Sequence, residues 1–83
     1  MTFPTIHLNG TSKERLVEDL CDACNAIDAA YEALKKTAPN GRDYYPQGPE
    51  ALERATGEHM LRLRKLDAIK GELEQIVLYI ERQ

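Results

Sequence analysis

Apolar residues recur at helical spacing in two long stretches of this chain, and a polar, aromatic segment separates them. In the first stretch Val17, Leu20, Cys24, Ile27, Tyr31 and Leu34 follow at alternating steps of three and four. Such a heptad seam lines one face of an α-helix. In the second stretch the same phase runs through Leu52, Ala55, His59, Arg62, Leu66, Ile69, Leu73, Ile76 and Ile80. Leu63 and Val77 widen that stripe on one side. Gly57 and Gly71 lie inside the pattern, and each costs roughly 1 kcal/mol against alanine in a helix.

Punctuating residues set the expected boundaries. Pro4 and Gly10 break helix, so residues 1–10 read as an extended arm. Thr11 followed by Glu14 reads as a capping box that opens a first helix over residues 11–37, which stops before Pro39. Residues 38–48 form the connector, with Asn40-Gly41 as a turn. Pro49 opens a second helix over residues 49–81, with Glu50 and Glu53 at the positive end of its dipole. The predicted fold is all-α: one domain, residues 1–83, folded as an antiparallel two-helix hairpin with a short arm. A lone hairpin buries only one stripe per helix. The extra stripe at Leu63 and Val77 therefore predicts a homo-oligomeric bundle, at simplest two hairpins making four helices. The second helix overhangs the first, and Phe3, Ile6 and Leu8 of the arm are the apolar residues available to cover the overhang.

Composition sharpens the picture. An 83-residue chain with 42% hydrophobic residues and one Phe supports a small aliphatic core. Two cysteines cannot form a disulfide framework. A net charge of −3 argues against a basic face that grips duplex DNA. No apolar run reaches the ~20 residues that cross a bilayer, and the start "MTFPTIHLNG" lacks the layout of a signal peptide. The expectation is a cytoplasmic protein with reduced thiols and no membrane partner. Charge is uneven: Glu14, Glu18, Asp19, Asp22, Asp28 and Glu32 face only Lys13 and Arg15 in residues 13–32. Residues 35–70 hold eight bases against five acids, so the two stretches suit each other within a chain or between copies.

Candidate chemistry is sparse. Cys21 and Cys24 form a CxxC, but well inside a helix beside Asp19 and Asp22, where a thiolate is disfavoured; core packing is the expected role. No nucleophile–base constellation and no metal-ligand spacing stands out, so no catalytic residue, metal or cofactor is expected. The connector "PNGRDYYPQG" departs most from structural need. Asn40 and Gly41 offer turn amides, Arg42 a fork-shaped cation, and Tyr44 and Tyr45 flat faces for a base. The alternative is that the tyrosines pack back on the helices and Arg42 pairs with Asp43. His59 and Arg62, opposite Cys24–Ile27 with Asp28 nearby, form either a structural polar layer or a second anion pocket. Asn9, Gly10 and Thr11 make a further Asn-Gly turn at a helix start, either a cap or a phosphate site. About 26 helical residues, roughly 40 Å, separate that turn from the connector, so one ligand reaches both only between protomers.

The segments "HLNGTS", "PNGRDYYPQGP" and "EHMLRLRKL" resemble a group of small proteins encoded in bacterial prophages, over nearly the whole chain. In size and helical-hairpin shape the chain is also similar to phage nucleotide sponges, the anti-CBASS and anti-Thoeris proteins that sequester cyclic nucleotide or cyclic ADP-ribose signals. That similarity implies a phage accessory protein that binds a small anionic ligand without turnover. The alternative expectation is a protein-interaction module that docks on a host or phage protein through the loop aromatics or the acidic helix face.

Overall fold

The computed structural model describes residues 1–83, all of them helix, turn or extended arm. Helix α1 spans Lys13–Lys35, a short α2 spans Gly41–Tyr44 and continues as a 3-10 turn over Tyr45–Gln47, and α3 spans Ala51–Glu81. No helix is long and apolar enough to cross a membrane. Lys13 near the start of α1 reaches the carbonyl of Glu81 at the end of α3 (3.3 Å), and Asp28 meets Lys70 at 2.7 Å. The two long helices therefore run antiparallel and pack along their length.

The interior row of α1 coincides with its seam. Cys24 is buried, and Val17, Leu20, Ile27, Tyr31 and Leu34 are all half-buried. On α3 the row differs. It runs through Ala51, Ala55, His59 and Leu63 in steps of four, then through Leu66, Lys70, Leu73, Val77 and Ile80. Leu63 thus takes the inner place expected for Arg62, and Lys70 that expected for Ile69; both of the latter are exposed. At the connector end, α2 and the 3-10 turn pack on the start of α3. Ala51 is buried there, and Ala55, one turn on, keeps the inner place the seam gives it.

Three helix ends also move: α1 begins at Lys13 and stops at Lys35, and α3 begins at Ala51. Helix α1 is capped by Ser12, whose hydroxyl accepts from the Arg15 amide at 3.1 Å. Ser12 rather than Thr11 is the cap, and the residue three further on is Arg15, so the reciprocal Glu14 bond of a capping box does not form. The connector is not an open loop. Asn40, in extended backbone, starts α2, and Gly48 at φ 109° provides the left-handed exit before α3. An alanine there would be strained.

The arm covers the end of α3 through Phe3, Pro4 and Ile6, whereas Leu8, expected to help, is 98% exposed. The Phe3 ring stacks on Tyr79 with centroids 4.5 Å apart. The Gln83 side chain accepts from the Ile6 amide and donates to the Pro4 carbonyl, each at 2.9 Å, so one amide clamps two arm residues. Beneath this cover Ile80 is fully buried. The result is a rod of 62 × 21 × 17 Å with a radius of gyration of 18.5 Å. A compact chain of this length would have a radius near 12 Å.

Candidate functional site

The connector presents the most concentrated chemistry. Asn40 Nδ2 donates to Asp43 Oδ2 at 3.1 Å, so Asp43 is held by Asn40 and not by Arg42. The Arg42 guanidinium, exposed on α2, has no ion-pair or hydrogen-bond partner in the protomer. Tyr44 is half-buried, whereas Tyr45 is 76% exposed. The two tyrosines therefore divide the expected roles: one packs back, the other offers its ring to solvent. Gly41 sits over Leu52, where an added methyl would make only ordinary contact at 3.8 Å. Lys35, which precedes the connector, is occupied by Glu32 at 3.3 Å and lies over the Tyr31 ring.

His59 and Arg62 do not converge. His59 is 5% exposed and Arg62 stands in solvent without an acidic partner. Nor do they face Cys24. With Asp28–Lys70 and Lys13–Glu81 as rungs, His59 falls across from the end of α1 and Pro39. Asp28 is held by Lys70 instead. The expected pocket between these two side chains is absent because His59 is enclosed and Arg62, on the same helix, is turned to solvent. His59 makes no hydrogen bond, yet no buried side-chain nitrogen or oxygen lacks a partner, so its ring nitrogens keep contact with water.

Asn9, Gly10 and Thr11 are exposed at the opposite end of the rod. The Gly10 amide donates to the His7 carbonyl at 3.1 Å, closing the turn, and the His7 ring lies so close that a Cβ at Gly10 would meet it at 2.8 Å. Helix α1, 23 residues long, separates this turn from the connector by roughly 35 Å. The structure thus brings Asn40, Gly41, Arg42, Tyr44 and Tyr45 together, and leaves His59, Arg62 and the Asn9–Thr11 turn apart from them. No concave pocket opens on the protomer surface.

Sequence reasoning missed the polar cluster between the helices. Lys70 donates to Asp28, and that hydrogen bond pushes the Lys70 ammonium above its ordinary value. Burial pushes the Cys24 thiol up, and the carboxylate of Glu74 adds to it. Both thiols are free, Cys21 exposed and Cys24 buried. The heptad phase hid the cluster, because it set Ile69 and not Lys70 at the inner position. The Gln83 clamp had no signal, since a terminal glutamine carries no pattern.

Compared with protein-family models, curated proteins and solved structures, the chain matches none.

Proposed function

We propose that this chain is a binding protein without catalytic activity, that it works as a homo-oligomer, and that it sequesters a small anionic ligand of the nucleotide class at a site built between protomers. The observation that carries the reading is Arg42: a fork-shaped cation with no partner, three residues before the exposed Tyr45 at one end of the rod. Arginine grips a phosphate bidentately and a tyrosine face accepts a base. A second copy supplies the missing wall. In a prophage setting the ligand class includes the cyclic nucleotides and cyclic ADP-ribose isomers that bacteria use as immune signals.

The test is retention and release. Cyclic di- and trinucleotides and cyclic ADP-ribose isomers are incubated with excess protein, separated by size, and the retained fraction is heated. One compound is expected to be depleted and to return intact. Arg42→Ala should weaken its retention by about tenfold to a hundredfold, the range of a charged hydrogen-bonded contact, with the melting temperature unchanged. Full recovery of every compound without heating would exclude sequestration of this class.

The exposure of Tyr45 favours one other reading. Tyrosine and arginine are common anchors of protein interfaces, and Tyr45 with Arg42 would then dock on a protein partner. That reading predicts no retained nucleotide and a partner whose binding is lost in Tyr45→Ala.

A further inference from the structure

The Asp28–Lys70 ion pair marks one broad face of the hairpin. Ile27 and Ile69 each precede an ion-paired residue by one position. At about 100° per residue they turn toward the other broad face. That second face is aliphatic: Ala23, Ile27 and Ala30 on α1 lie beside Ile69, Leu73 and Ile76 on α3. Ile69 is 46% exposed at its middle. By helical spacing Glu14, Glu18, Asp22, Asp28 and Glu32 of α1 lie off this stripe, while Asp19, one turn before Ala23 at its end, is neutralised by Arg15 at 3.0 Å.

The area left uncovered fits a second copy of this chain. The protomer exposes 6345 Å². A compact protein of its mass would expose about 5,000 Å², and a standard interface takes about 800 Å² from each partner. The excess is large enough for one such interface.

The rim of the face specifies the orientation. Along α3 the positions beside Ile69 repeat every seven residues as Glu58, Lys65, Glu72 and Tyr79. Neither Lys65 nor Glu72 has an ionic partner in the protomer. When two α3 helices cross antiparallel with Ile69 at the twofold axis, Lys65 of each copy falls opposite Glu72 of the other. In the same arrangement the two α1 helices meet through Ala23, Ala26, Ala30 and Ala33, small residues that permit close approach. Stacking with the connectors at the same end would instead set Lys65 against alanines of α1 and leave Glu72 unpaired.

We infer that two copies associate through this face about a twofold axis at Ile69, with connectors at opposite ends and Lys65–Glu72 ion pairs on both rims. The connector carrying Arg42 then lies beside the Asn9–Thr11 turn of the second copy. Resting on the ligand reading above, this supplies the intersubunit wall that the protomer lacks.

Sedimentation equilibrium of the full chain tests the arrangement. The unsubstituted protein is expected as a dimer or an even-numbered multiple of it. Ile69→Lys, at an exposed position, should sediment as a lower-order species with far-UV helicity retained. Lys65→Glu and Glu72→Lys should each weaken association by about tenfold, since each sets two like-charge pairs across the rims. Mixing these two variants in equal amounts should restore it, because each charge again meets its opposite. A mass indifferent to all three substitutions overturns the interface, as does a mixture that fails to recover. A monomeric protein that retains nucleotide also overturns it while leaving binding intact. A dimer behaving as described that retains no nucleotide instead removes the ligand reading alone.

Discussion

Cys24 and Lys70 sit across the helix interface, and protonation links both to stability in the same direction. The Cys24 thiol is raised above its ordinary value of 9.0 by burial, then by Glu74 and Cys21. The fold therefore favours the protonated thiol, and the unfolded chain ionises first as pH rises. This contribution is complete below pH 9.0 and is lost as pH climbs through the raised folded value. Lys70, hydrogen-bonded to Asp28, is raised above 10.5, so its contribution is complete below that pH and lost above it. The melting temperature should therefore fall from about pH 9 upward, in two overlapping stages. Cys24→Ala should remove the first stage and keep the second. A thermal scan series that stays level from pH 9 to beyond 10.5 would contradict both assignments.

At the scale of elements, the test case is the start of α1. Ser12 caps the helix through the Arg15 amide, and Thr11, one residue earlier, makes no such bond. Ser12→Ala should cost about 1 kcal/mol and Thr11→Ala close to nothing, measured by urea unfolding. The reverse order would return the cap to Thr11. This one-residue displacement shows what the sequence left ambiguous: adjacent hydroxyl residues both satisfy cap chemistry, and only backbone geometry selects one. The seam of α1 was fully legible, because one continuous partner helix preserves its heptad phase. The seam of α3 was legible in part: Ala55, His59, Leu66, Leu73 and Ile80 hold their expected inner places. It was not legible at Arg62 and Ile69, where Leu63 and Lys70, each one position further on, take the inner places, and Ala51 was too small to stand out as core. On one helix His59 turns inward and Arg62 outward, so the pocket read between them does not form, whereas Asn40–Tyr45 make one short cluster. That cluster was legible because its residues are neighbours in sequence.

At the scale of the molecule, the hairpin is short of interior. Only Cys24, Ala51, Ala55, His59, Leu63 and Ile80 are buried, and Ile80 alone of these has a large side chain fully enclosed. Small single cores are marginal even when compact, and this one is spread along a rod 62 Å long. The arm relieves one end through the Phe3–Tyr79 stack and the Gln83 clamp, but it leaves the aliphatic face around Ile69 open to water. If association across that face supplies the missing burial, folding and assembly are linked, and mass action ties stability to protein concentration. The melting temperature should then rise steadily on concentration of the unsubstituted protein and stay fixed, at a lower value, in Ile69→Lys. Both arms of the comparison are needed, because a surface charge also changes the monomer slightly. A melting temperature independent of concentration, for a chain that sediments as a monomer throughout, would mean that the α1–α3 seam and the arm suffice alone. The aliphatic face would then require a different occupant.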